Sequence, residues 1–201
     1  GVAVHTILDQ VRAMYCIELG QPGEARQLLL RALERPEVQD NPLALQGVLN
    51  VLGQALLDLD QPREAERIAR RGVQLGRDPD CGVLHTYVFN SCNLALAEAR
   101  QGRVDIAARR LDRIIEAIDD NPLMCGTLHE KRTEVARIAG DPERARHHLR
   151  ETEYWFRATD NPALAARCEQ LAARVEQRAA PAAVGAKLAA VVLQQREADP
   201  L

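Results

Sequence analysis

The chain has 201 residues, with 26 Lys and Arg against 29 Asp and Glu and a formal net charge of −3. That balance gives no electrostatic ground for a nucleic-acid or anionic-membrane partner, and 46% hydrophobic with 27% charged residues argues against intrinsic disorder. Aromatic residues are only 3% and β-branched runs are few, so the composition leans towards helix.

Five cysteines, Cys16, Cys81, Cys92, Cys125 and Cys168, stand singly with no CxxC pair. With no signal peptide in view, that pattern reads as reduced thiols in a cytoplasmic setting. No apolar run reaches the roughly 18 residues of a membrane span. Alanine and arginine are abundant while lysine occurs only at Lys131 and Lys187, the footprint of a GC-rich genome rather than of function. A Gly1 start without methionine points to a longer natural protein.

In chain order, the first punctuation is LGQPGEA, Leu19 to Ala25. It returns as LDQPREA at Leu59 to Ala65, QGRVDIA at Gln101 to Ala107 and AGDPERA at Ala139 to Ala145. In each, Gly or Asp precedes Ala by five residues, and the turn positions Gly20, Asp60, Gly102 and Gly140 are spaced 40, 42 and 38 apart. A second mark runs out of phase with the first: Asp-Asn-Pro at 40–42, 120–122 and 160–162, with Asp-Pro-Asp at 78–80 filling the gap. Asn or Asp before Pro reads as an N-cap followed by the first helical residue. The turn motif reads as a left-handed C-cap followed by a Pro-led helix start. Between marks the apolar period is helical, as in Leu45, Val48, Leu49, Leu52, Leu56 and Leu59.

The expected architecture is therefore all-α, a solenoid of antiparallel helical hairpins with nine to ten helices. Hairpins are expected at about 3–37, 42–77, 82–118 and 122–158, closed by a capping helix at 162–179. In that helix Leu164, Cys168, Leu171 and Val175 form the apolar stripe, and Arg167, Glu169, Gln170 and Glu176 are expected to face water. Residues 181–201, after the break at Pro181, read as a further helix that caps the array or links onward.

Leu52-Gly53, Leu56, Asp60, Ala65 and Gly72 together resemble the tetratricopeptide repeat. The units are longer than that family's roughly 34 residues and are similar to its extended bacterial and kinesin-light-chain-like variants. Three positions depart from the pattern: Arg12 where Leu52 stands in the second unit, Thr133 in place of a small Gly or Ala, and Glu98 where a bulky apolar residue is usual. The resemblance implies a right-handed solenoid in which the first helices of the units line a concave groove for an extended or helical partner segment.

Spacing gives the face of each first helix opposite its hairpin partner: Gln10, Met14 and Glu18, then Asn50, Gln54 and Asp58. The third and fourth units add Phe89, Asn93, Leu96 and Arg100, then Glu130, Glu134 and Arg137. Asn and Gln there would pair with a partner's backbone, and Phe89 and Leu96 would give apolar contact, so a neutral or mixed-charge protein or peptide segment is expected. The role implied is a non-catalytic interaction or scaffold module of a larger signalling protein, its partner a separate protein or peptide or another domain of that protein. No cofactor, nucleic acid or membrane is implied. Self-association through the array ends and a small-ligand or metal sensor are the rival readings.

Other chemistry is sparse. Cys81/His85 and Cys125/His129 share the i, i+4 spacing of paired metal ligands, but their distances to the following turn glycines differ by six residues. At 1.5 Å per residue that is an offset of about 9 Å, too large for one tetrahedral ion. His147-His148 reads as a solvated face, and the arginines Arg67, Arg70, Arg71, Arg109, Arg110 and Arg113 as a convex surface neutralised by interleaved carboxylates. Tyr154-Trp155-Phe156 is expected to pack under the closing helix. No nucleophile elbow, phosphate loop or HExxH motif occurs, so no enzyme is expected.

Overall fold

The computed structural model describes residues 2–77, 84–118 and 121–177, and within them the chain is helix and turn with no strand. The helices are α1 (Val2–Glu18), α2 (Pro22–Leu33), α3 (Pro36–Gln39), α4 (Pro42–Asp58), α5 (Pro62–Leu75), α6 (Leu84–Arg100), α7 (Val104–Ala117), α8 (Pro122–Ala139) and α9 (Pro142–Arg157). A tenth, α10, covers 162–177. The expected helix at 181–201, the Asp-Pro-Asp mark and Cys81 lie outside the described residues.

Both punctuation marks act as their chemistry requires. Asn41, Asn121 and Asp141 each accept a hydrogen bond at 3.0 Å from the backbone N–H three residues on, and each precedes a Pro at the first helical position. Asn161 accepts at 3.0 Å from the Ala163 N–H and opens α10. At the other mark, Gly20, Asp60, Gly102 and Gly140 all take positive φ, at 72°, 54°, 83° and 73°. Behind each lies the same pair of bonds. Gln21, Gln61, Arg103 and Asp141 reach back to the carbonyls of Cys16, Leu56, Glu98 and Ala136, while the turn residue itself bonds three residues back. That is the Schellman closure, which satisfies the carbonyls a helix end orphans. Asp60 does it without glycine.

Packing follows a fixed order. Each long helix packs on the next (α1–α2, α4–α5, α6–α7, α8–α9), and α1, α4, α6 and α8 also pack on one another in succession. The second helix of each pair then touches the first of the next: α2–α4, α5–α6 and α7–α8. One continuous apolar core runs from Ala13 to Val135. The repeated alanines Ala25, Ala65, Ala107 and Ala145 are all buried, where a small side chain lets paired helices approach closely. Glycines do the same at other crossings. A Cβ on Gly126 would lie 2.2 Å from the Phe156 ring, and one on Gly72 would lie 2.2 Å from the Asn90 amide.

The link expected between the first two units contains a feature that the spacing did not announce. Pro36–Gln39 winds into the single helical turn α3, whose Val38 is fully buried under α2 and α4. At the far end, α10 buries Leu164, Cys168, Leu171 and Val175 as its stripe requires. Arg167 does not face water as expected: it reaches Glu130 of α8 and lies over the Phe156 ring, 5.6 Å from its centroid. The aromatic triplet divides, with Phe156 buried against Leu164 and Cys168 while Tyr154 stays exposed.

The three departures from the repeat pattern each have a structural answer. Glu98 is buried but accepts from Arg110 Nε at 3.0 Å and Nη2 at 2.8 Å, a bidentate pair across the α6–α7 hairpin. Thr133, fully buried, returns its hydroxyl to the His129 carbonyl at 2.9 Å. Arg12 lies on the outer face of α1, where no further helix covers it among the described residues.

Candidate groove at the ends of the first helices

The residues expected on the concave face divide into two groups. Towards the start and middle of the first helices they are consumed by helix–helix contact. Gln10 lies over Gly47, where its amide reaches the Ala44 carbonyl at 3.5 Å. Asn93, only 3% exposed, donates its amide to the Asn50 carbonyl at 2.9 Å and to the Asn50 side chain at 3.1 Å. Its expected role in binding a partner's backbone is therefore corrected, since that amide locks α6 onto α4. Phe89 is half-buried and meets the His85 ring edge-on at 4.4 Å. Glu130 is buried under Arg167, with Lys131 Nζ at 3.6 Å. Burial opposes its charge, but the Lys131 and Arg167 cations outweigh it and hold the carboxyl below its ordinary value. Met14 stays exposed, on α1.

Towards the C-terminal ends the picture changes. Gln54 and Asp58 of α4, Leu96 and Arg100 of α6, and Glu134 and Arg137 of α8 line one open groove of about 610 Å³. Lys131 and Arg174 complete its walls, with Asp60 at the mouth. Leu96 supplies a small apolar floor and is otherwise buried. Arg100 donates to the Leu57 carbonyl at the end of α4 and stands 3.9 Å from Asp60, a cation placed where the helix dipole favours one. Gln54 donates to Asp58 at 2.9 Å, yet crowding by the groove walls still raises the Asp58 pKa. Glu134 takes Arg137 Nε on one oxygen at 2.7 Å and Arg174 Nη1 on the other at 2.7 Å. The groove thus sets four cationic side chains against three anionic ones, with Asp60 beside Arg100 and Glu134 held by Arg137 and Arg174.

Lys131, Asp60 and Arg174 were not among the residues that spacing places in the groove. Lys131 carried one signal, as the sole lysine among the described residues. Arg174 carried none, because its place depends on how α10 crosses α8.

The remaining candidates resolve differently. His129 Nδ1 lies 3.0 Å from His148 Nδ1, joining α8 to α9, so His148 is not part of a solvated face as expected, though His147 is exposed. Two imidazole nitrogens at that distance share one proton, so the accepting ring must be neutral and the two rings cannot both carry a charge. Burial first, then the Arg132 charge, pushes His148 down to about 3, and burial likewise lowers His129. His129 is therefore turned to α9 and not towards a ligand set with His85. Among the described residues no group of three His, Cys, Asp or Glu is placed to hold a metal ion. Burial pushes the Cys92 thiol up to about 12, an inert and fully protonated state. On the outer surface Glu66 collects Arg103 at 2.6 Å and Arg70 at 2.5 Å, whereas Arg110, expected on the same neutralised face, turns instead to the buried Glu98. No helix among the described residues is long and apolar enough to cross a membrane.

No family model matches the chain, and neither does any curated protein or solved structure compared with it.

Proposed function

We propose that the helices form a right-handed solenoid of tetratricopeptide-like hairpins and that the chain is a non-catalytic module that binds a protein segment in the groove at the ends of α4, α6 and α8. The observation that carries this reading is the convergence there of unlike groups from four separate helices: an amide, carboxylates, guanidinium groups and a leucine floor. An open groove walled by side chains of both charges suits an extended segment of mixed charge rather than a compact metabolite. Acidic groups on the segment would meet Arg100 and Lys131, and a basic one would meet Asp58 and Asp60. The exposed position of Asp58 and the solvated edge of Arg100 leave both able to exchange water for a partner.

The test is selection from a displayed library of random twelve-residue segments, followed by binding measurements on the enriched sequences. The expected ligands carry both signs of charge, and they weaken by about tenfold or more on Arg100→Ala and on Asp58→Ala, as loss of one charge-assisted contact implies. Enrichment of nothing, or of segments indifferent to both substitutions, overturns the reading.

A further inference from the structure

The arginines of α7 do not keep the carboxylates that their spacing offers them. Asp112 turns to Arg132 of α8, whose Nε donates to it at 2.7 Å, and Arg110 turns to Glu98 of α6. Asp105, one helical turn before Arg109, pairs with no cation among the described residues, and neither does Glu116, three residues after Arg113. Arg109 and Arg113 are thus exposed and have no acidic partner there, four residues apart on one face of the helix. Like charges at that spacing repel.

These side chains converge on a concavity. Together with Arg110, and with Arg77 just after α5, they line a pocket of about 190 Å³. Arg77 is likewise exposed and without an ion pair among the described residues. Four guanidinium groups from two segments therefore surround one space, three of them uncompensated, and no carboxylate lines it. The groove at the helix ends differs, since acids stand among its cations. Tyr87 of α6 adds a half-buried phenol, and Ile106 and Ile114 of α7 give the pocket apolar sides.

That lining specifies the chemistry of its occupant. Guanidinium forks match the oxygens of phosphate and carboxylate groups, and several around one point favour an anion with more than a single charge. A phosphate monoester carries about −1.5 to −2 charge near pH 7 and has three acceptor oxygens to share among the arginines and the phenol. The isoleucines suit the short carbon stem that bears the ester. The pocket is smaller than the roughly 300 Å³ at which small-molecule sites begin, too small for a nucleotide but sufficient for a phosphorylated side chain.

We infer that the pocket formed by α6, α7 and Arg77 binds the phosphate of a phosphorylated side chain on a protein segment, held by Arg77, Arg109 and Arg113. It shares no residue with the groove, so binding here stands independently of binding there.

The test is retention, by the 201-residue chain, of a degenerate peptide pool with a central phosphoserine, measured against the same pool with serine. The phosphorylated pool should bind at least about tenfold tighter, and Arg109→Gln with Arg113→Gln should abolish the difference. Both positions are exposed, so the double variant should keep the helical spectrum and melting of the parent. Inorganic phosphate, which lacks the stem that the isoleucines touch, should bind more weakly than the phosphorylated pool. Asp78 and Asp80 follow Arg77 outside the described residues, and use of the whole chain lets their carboxylates compete as they do natively. Retention of neither pool, equal retention of both, or a preference that survives the glutamine pair would each overturn the inference. So would inorganic phosphate binding as tightly as the phosphorylated pool, or a single-stranded DNA of roughly 12 nucleotides binding more tightly than it.

Discussion

Glu98 is the buried charge on which the third hairpin depends, and its removal has a calculable cost. The side chain is 3% exposed and holds both Arg110 nitrogens, whereas Arg110 is 24% exposed and borders water. Glu98→Ala deletes two charge-assisted hydrogen bonds, each worth about 1.5–3 kcal/mol. The freed guanidinium can turn outward and recover part of its hydration, so the net loss should sit near the lower end for a broken buried pair, about 3 kcal/mol. Arg110→Ala removes the partner that can reach water and strands the one that cannot. It should therefore cost more, about 4–5 kcal/mol. The double alanine variant should fall well short of the sum, with a coupling of at least about 1.5 kcal/mol. Replacing both residues by leucine should restore or exceed parental stability, because desolvating the pair offsets most of its attraction. Urea unfolding followed by far-UV circular dichroism reads all four values. A chain of this length should shift its Tm by about 2–4 °C for each kcal/mol. Additive single losses, or Glu98→Ala costing more than Arg110→Ala, would refute the asymmetric-burial argument.

Gly126→Ala should destabilise by about 1–3 kcal/mol, since the added methyl meets the fully buried Phe156 ring, whereas Gly23→Ala, which meets nothing within 4 Å, should gain about 0.5–1 kcal/mol of helix propensity; urea midpoints of the pair decide this. Asp60→Gly, relieving a left-handed φ of 54°, should raise stability by about 1 kcal/mol by the same measurement, and a loss would mean that the Arg100 contact outweighs the backbone term. His148 is held neutral with its folded pKa near 3, so between the unfolded value near 6.5 and that pH the unfolded chain binds the extra proton and stability falls as pH falls. His148→Gln should flatten the stability profile between about pH 6.5 and 5, and an unchanged slope would place the titration elsewhere. For Glu66 the hydrogen bond from Arg103 leads, overcoming burial and joined by Gln101 and Arg70, and the carboxyl is held at about 2. Its stabilisation is complete above the unfolded value near 4.5 and is lost as pH falls towards 2. Because Arg70 is 54% exposed and screened, Glu66→Gln should remove no more than about 1–2 kcal/mol of it, seen as a shallower acid transition.

The parts of this chain that were legible in its sequence are those whose physics is local. A cap needs its Asn or Asp, its Pro and the few backbone groups around them, so Asn41, Asn121 and Asn161 announced helix starts without reference to the rest of the fold. The turn marks were legible for the same reason, including Asp60, whose side chain tolerates the left-handed region. The groove was half legible, and the half that failed shows why. Choosing the face opposite a hairpin partner treats each first helix as having one neighbour, but α4 and α6 each lie between two others of their own kind. Both flanks of that face are then covered. Asn93 and Gln10 fall on the flanks and become fasteners between helices. The surface left over narrows to the helix ends, where successive helices leave the groove open and where Asp58, Arg100 and Arg137 stand. The same reasoning explains α10. The closing helix was expected to turn Arg167, Glu169, Gln170 and Glu176 to water, yet the flank beside α8 brings Arg167 and Arg174 onto Glu130 and Glu134. The closing helix therefore completes the electrostatics of the groove wall as well as covering the core. A substitution at Arg174 that leaves the fold intact should alter what the groove accepts. Enriched segments measured against Arg174→Ala should therefore change affinity while the far-UV spectrum stays that of the parent, and an unchanged affinity would remove α10 from the groove wall.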